Sequence, residues 1–221
     1  MTTETLSFNT AGGETTAYVA IPDEPNGKAV IVIQEWWGLN EHIKDIVRRY
    51  ADQAFTAIAP DLYRGRIAAN PQEAGKMMQE LKIEDGLDTI KNTIDAAREK
   101  YGIAHFGITG FCMGGTYSLR AACVLEGLSA AAPFYGDIPE EDILKNLTVP
   151  TIFVSGTKDQ WINAEKVALL EEMTEKYELP VTSVKYEADH AFFNNTRPEV
   201  YDETAAKDAW ALVIGLFNDK L

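Results

Sequence analysis

The sequence predicts an α/β fold: a mostly parallel sheet with helices on both faces, entered through an N-terminal antiparallel hairpin. Three observations lead there. Short β-branched runs alternate with stretches of helical period along most of the chain. Lys28 to Gln34 (KAVIVIQ) is apolar without alternation, as in a strand covered on both sides. Residues 4–22 instead alternate polar and apolar about Ala11-Gly12-Gly13, the pattern of a hairpin at a sheet edge.

The elements follow in order. After the strand at Lys28, Asn40 can cap a helix with its apolar stripe at Ile43, Ile46, Val47, Tyr50, Ala51 and Ala54. Ala57 to Ala59 is a short strand that leads into Pro60-Asp61-Leu62-Tyr63-Arg64-Gly65-Arg66. Residues 61–85 are the least regular internal stretch and are expected to form a pocket rim or lid. Gly86 to Tyr101 reads as a helix, Ala104 to Thr109 as a strand, and Thr116 to Leu125 as a helix. Ser129 to Phe134 is another strand, ending at Tyr135-Gly136-Asp137. The run from Val149 reads as a buried strand whose loop presents Asp159. The run from Val181 reads as the next strand, and its loop presents His190. Glu199 to Asn218 closes the chain as a helix with its stripe at Ala206, Ala209, Trp210, Val213, Ile214 and Phe217. No repeat or linker interrupts this series. At 221 residues and 46% hydrophobic, one domain over 1–221 is expected.

Composition narrows the function classes. A formal charge of −14, from 34 acidic and 20 basic residues, argues against nucleic acid or an anionic membrane as partner, since both need a basic footprint. The N-terminus (MTTETL) has neither a basic nor an apolar leader region, and no apolar run has the length of a membrane span. Cys112 and Cys123 fall eleven residues apart on one expected helical stretch, roughly 16 Å at 1.5 Å per residue, too far for a disulfide. A cytoplasmic protein with free thiols is expected. With no coiled-coil seam, a monomer is the default.

The chemistry centres on Gly110-Phe111-Cys112-Met113-Gly114-Gly115. Placed between a strand and a helix, it has the form of a nucleophile elbow: small flanking residues permit a sharp turn whose tip carries the nucleophile. The following helix aims its N-terminus at the reacting group. A free cysteine is usually a structural core group, and Cys123, mid-helix, is read that way. The glycine-flanked turn is what singles out Cys112. His190 follows the last expected strand, whereas His42 and His105 have no such setting. Among acids near strand ends, Asp159 is favoured over Asp137, which opens an acidic surface run, and over Asp189, too close in sequence to His190 to buttress its ring. Nucleophile, acid, histidine is the α/β-hydrolase chain order. There is no G-x-G-x-x-G, no phosphate loop and no metal-ligand spacing, so neither metal nor cofactor is expected.

These motifs, with Gln34-Glu35-Trp36-Trp37-Gly38-Leu39-Asn40, Ala59-Pro60-Asp61-Leu62-Tyr63, Gly156-Thr157-Lys158-Asp159 and His190-Ala191-Phe192, resemble the dienelactone hydrolase (carboxymethylenebutenolidase) family over nearly the whole chain. The resemblance implies the α/β-hydrolase fold and a catalytic triad of Cys112, His190 and Asp159. It also implies a further functional acid, Glu35, that holds the thiol at rest and assists its ionisation. The oxyanion donors would be the backbone N–H groups of Met113 and Trp36. The implied reaction is hydrolysis of a small ester or lactone. A Ser directly after the His and an Arg four residues after it, which help grip the substrate carboxylate in characterised members, are here Ala191 and Asn194. Trp37, Arg64, Phe192 and Arg197 are the candidate substrate-binding residues. The alternatives are a broad carboxylesterase or thioesterase, and a non-catalytic small-molecule binder on the same fold.

Overall fold

A computed structural model describes residues 1–221. The hairpin forms as expected: β1 (Thr2–Thr10) pairs antiparallel with β2 (Gly13–Ile21), and β1 lies at the sheet edge. The remaining strands are β3 (Lys28–Ile33), β4 (Thr56–Pro60), β5 (His105–Phe111), β6 (Leu128–Phe134), β7 (Thr151–Gly156) and β8 (Val181–Tyr186). They complete one eight-stranded sheet in the order β1-β2-β4-β3-β5-β6-β7-β8. β2 meets β4 antiparallel, and every later pair is parallel.

The helices are α1 (Glu41–Ala51), α2 (Pro71–Glu80), α3 (Ile83–Tyr101), α4 (Met113–Val124), α5 (Glu141–Leu144), α6 (Ala164–Tyr177) and α7 (Glu203–Lys220). Two glycines of β5 show how they divide. A Cβ on Gly107 would meet Phe217 of α7, whereas one on Gly110 would meet the Gly114 carbonyl of α4. Three residues apart on a strand, they point to opposite faces. Tyr50 of α1 packs at 4.4 Å from Trp210 of α7, so these two helices share a face. Gly86 of α3 packs directly on Tyr117 of α4 on the other. Ala29 to Ile33 are fully buried between these layers. Each large aliphatic side chain there contributes about 1.5–3 kcal/mol of transfer free energy.

Three helices escape the sequence reading: the single-turn α5, in what reads as an acidic surface run, and two longer ones. The loose stretch to Asp85 contains α2, capped by Asn70, whose side chain accepts from the Glu73 N–H at 2.9 Å, with Pro71 in the first turn. That Asn-Pro start is a legible cap signal. α6 lies between the strands that lead to Asp159 and His190. Its signal was an Asn163 cap followed by Val167, Leu170 and Met173, its buried positions.

The topology prepares a crevice. From β3 the chain steps to β4 on one side, then crosses back to β5 on the other side of β3. Neighbouring strands whose connections leave in opposite directions splay their loops apart at the carboxyl end. Glu35 follows β3 there and Cys112 follows β5. No helix is long and apolar enough to cross a membrane.

Candidate active site

Cys112 sits at the tip of the elbow with φ 57° and ψ −117°, a conformation that costs a non-glycine residue about 1–3 kcal/mol. What holds it there is close backbone contact. A Cβ on Gly114 would lie 2.3 Å from the Ile33 carbonyl oxygen, and one on Gly115 2.3 Å from that of Phe134. Only glycine lets the first turn of α4 wedge between the ends of β3 and β6. The Cys112 N–H donates to the Phe134 carbonyl at 3.1 Å, fixing the turn against β6.

The acid and the histidine arrive from neighbouring strands. Asp159 follows β7 and is buried; its Oδ1 accepts from the N–H groups of Trp161 (2.8 Å) and Ile162 (2.9 Å). Its Oδ2 lies 2.6 Å from His190 Nδ1. Burial works to raise its pKa, but the hydrogen bond and charge of His190, with the two backbone donors, hold it below the ordinary carboxylate value. The other ring nitrogen of His190, Nε2, has no hydrogen-bond partner in the protein. His190 and Cys112 line the same pocket of about 780 Å³.

Glu35 lines that pocket too and is 2% exposed. Burial pushes its pKa up to about 7, against the opposing pull of a hydrogen bond from Asn194 and the charge of Arg197. Asn194 Nδ2 donates to Glu35 Oε2 at 2.9 Å. The amide is oriented by Thr196, whose N–H (3.0 Å) and hydroxyl (2.6 Å) both donate to Asn194 Oδ1. The Cys112 thiol is pushed up to about 12, first by desolvation and then by the charge of Glu35. The N–H groups of Met113 and Trp36 lie close enough to favour its ionised form, and so oppose that rise.

One measurable consequence follows for Glu35. Below about 4.5, its ordinary value, the carboxyl is protonated in folded and unfolded chains alike and has no effect on stability. Between there and about 7 the unfolded chain ionises first, so the folded state loses stability as pH rises, on the order of 3 kcal/mol in total. Glu35→Gln cannot ionise. Its unfolding free energy relative to the native chain is expected to climb across that window and level off above it. Denaturant melts at pH 4, 6 and 8 measure this, and a pH-independent difference would show an ordinary carboxyl.

Trp36 and Trp37 line the pocket with their rings 5.2 Å apart, and Arg197 lies at its edge with Nε donating to Glu199 at 2.8 Å. The segment expected to form a rim does so: Pro71, Met78, Leu81 and Ile83 make one wall. Two expectations fail. Arg64 does not reach this pocket. The Asp61 carboxylate accepts from the Tyr63 and Gly65 N–H groups, closing a tight turn that aims Arg64 at the hairpin, where Nη2 donates to Thr10 at 3.1 Å. Phe192 is fully buried and packs on Tyr135 and Tyr186, because Ala191, at φ 63°, turns the chain inward after His190. Several lining residues had no sequence signal as site residues. Trp161 stands edge-on to His190 at 4.8 Å, and Tyr135, at φ 37°, packs 5.0 Å from the same ring. Lys166 of α6 also lines the pocket, paired with Asp137. No three His, Cys, Asp or Glu side chains are grouped so as to hold a metal ion.

The model of the dienelactone hydrolase family matches residues 15–221. The chain belongs to the dienelactone hydrolase family. It is 37% identical over 98% of both chains to "Protein usf" of Aquifex pyrophilus. It is 35% identical, again over 98% of both, to a protein of Aquifex aeolicus named "Putative carboxymethylenebutenolidase". Among solved structures, one titled "Putative Dienelactone Hydrolase" from Klebsiella pneumoniae superposes with a TM-score of 0.88 at 30% identity, covering 99% of both chains. As a dienelactone hydrolase family member the protein is an α/β-hydrolase-fold enzyme of the carboxylic ester hydrolase class. Burial holds the Glu35 carboxyl at about 7, and the hydrogen bond from the neutral Asn194 amide offsets that rise only in part.

Proposed function

We propose that this dienelactone hydrolase family member hydrolyses a small ester or lactone through a thioester on Cys112, with His190 and Asp159 as its base and orienting acid. The observation that carries this reading is the convergence on one pocket of a thiol on a strained elbow and a histidine with one nitrogen tied to a buried carboxylate and the other free.

The substrate carbonyl carbon is placed beside Cys112 Sγ, with its oxygen toward the N–H groups of Met113 and Trp36. A resting thiol with so high a pKa is protonated at neutral pH. His190 Nε2 accepts its proton as the carbon–sulfur bond forms, and the carbonyl π electrons move to oxygen. Each backbone donor to that oxyanion is worth about 3 kcal/mol in such sites. Collapse of the tetrahedral adduct breaks the ester C–O bond, and the imidazolium returns its proton to the leaving oxygen. Water, deprotonated by His190, then attacks the thioester, releasing the carboxylic acid and restoring the thiol. Glu35 acts through its charge: its carboxylate repels a thiolate, and its neutral form does not, so a carboxyl near neutrality lets Cys112 ionise with little opposition. By the same route an enolate leaving group, as from an enol lactone, departs readily because its charge is delocalised.

Acid-quenched samples taken early in turnover of a 4-nitrophenyl ester test the intermediate. Mass spectrometry of the digest is expected to place the acyl group on the peptide containing Cys112. Acylation elsewhere, or turnover with no trapped acyl group under conditions where a nitrophenolate burst is seen, would sink the reading.

A further inference from the structure

The pocket wall contains two cations, and neither is free. Lys166 Nζ lies 2.7 Å from Asp137 Oδ1, and Asp137 itself lines the pocket, so this charge is cancelled within the wall. Arg197 is held by Glu199 at 2.8 Å. The polar neighbour of Glu35, Asn194, is neutral, and both ends of its amide are occupied. Glu35 contributes a second acidic group to the wall, and no unpaired basic group offsets it.

Most of the remaining lining is apolar, with Trp37, Met78, Leu81, Ile83, Trp161 and Ile162 among its members. Its other polar groups, such as Thr116, carry no positive charge to offer a carboxylate or, like His190, are already tied to a carboxylate. Trp161 and Met78 are 63% and 39% exposed, so the apolar surface runs from beside His190 out to solvent. At about 780 Å³ the cavity is in the range of sites that enclose drug-sized ligands. A carboxylate carried into it would exchange hydration for aromatic and aliphatic walls with no unshared cation, an exchange that opposes binding. The net charge of −14 also opposes the approach of anions.

Resting on the hydrolase reading above, we propose that this pocket selects uncharged esters with an apolar acyl chain or ring and discriminates against acyl groups that end in a carboxylate. Lys166 is the charge that could relax this selection, and Asp137 is what keeps it silent. Asparagine at 137 would retain the backbone N–H that donates to Thr116 Oγ1 while giving up the ion pair.

The test compares 4-nitrophenyl hexanoate with the 4-nitrophenyl monoester of adipic acid, which share a leaving group and differ at the far end of the chain. The native enzyme is expected to favour the neutral ester by about tenfold or more in kcat/KM. In Asp137→Asn the ratio of carboxylate to neutral ester is expected to rise about threefold or more as Lys166 is released. An equal or better rate on the carboxylate ester in the native enzyme, or an unchanged ratio in the variant, overturns the proposal. Binding of the corresponding uncleaved anilides, followed by quenching of the pocket tryptophans, reads the same preference without chemistry. Loss of turnover on both esters would count against the hydrolase reading. The anilide pair would then still decide the pocket's charge preference: tighter neutral binding upholds it, and equal or tighter anionic binding overturns it.

Discussion

Cys112→Ala is expected to lower kcat/KM for ester hydrolysis by about 10⁴-fold or more, the scale on which removal of a nucleophile ordinarily falls. The loss follows from position as much as from reactivity. The elbow places one side chain beside the donors at Trp36 and Met113, and no second hydroxyl or thiol occupies the tip of that turn. The fold should survive the change, because alanine keeps the Cβ and the turn is held by the close approach of Gly114 and Gly115 to the ends of β3 and β6. Thermal midpoints should therefore stay close while turnover collapses. Cys123→Ala is the control. That thiol is 7% exposed on the helix that follows and does not line the pocket, so its loss should leave the activity in place. Residual activity above about one per cent in Cys112→Ala would assign the nucleophile to another group.

Asp159→Asn is expected to cost about 10⁴ in kcat with little change in stability. The asymmetry comes from the two oxygens of the carboxylate. Oδ1 accepts from the Trp161 and Ile162 N–H groups, a task the amide oxygen of asparagine can take over unchanged. Oδ2 holds His190 Nδ1 at 2.6 Å. An NH₂ in that place donates rather than accepts, so the imidazole must turn a lone pair toward it and carry its proton on Nε2. The ring is then unable to accept the thiol proton. A structural defect would lower the melting temperature and leave the tautomer alone. Nitrogen NMR shifts of the His190 ring separate the cases, and an unchanged tautomer with activity within about tenfold of native would remove Asp159 from the mechanism.

Much of this was legible because the relevant physics is local. The KAVIVIQ run has no polar face to turn toward water, so β3 had to be buried, and it is. Asn40 caps α1 through a bond to Ile43, three residues on. The spacing of glycines about Cys112 announces a turn that larger residues would block, and the chain order of Asp159 and His190 fits strands that end side by side. Where the signal is weaker the sequence is less legible: α6, between those two strands, and α2 each begin at an asparagine cap but have few buried apolar positions to mark a helical stripe.

The sequence by itself determined the αβ alternation and the glycine-flanked turn at Cys112, since each rests on steric or hydrogen-bonding preferences spanning a few residues, and it singled out Cys112, Asp159 and His190 as candidates for the chemistry. What the site does with its charges was decided only by the tertiary structure. Asn194 meets Glu35 across 159 residues of chain, and no local pattern records that contact or the burial that raises the carboxyl to about 7. Arg64 and Phe192 looked equally available in sequence, yet a turn closed by Asp61 points one at the hairpin and a left-handed Ala191 buries the other. Lys166 comes to the pocket from a helix, and Asp137 beside it cancels its charge. Desolvation and charge pairing depend on which distant groups share a cavity, and that is fixed by packing rather than by neighbours in the chain.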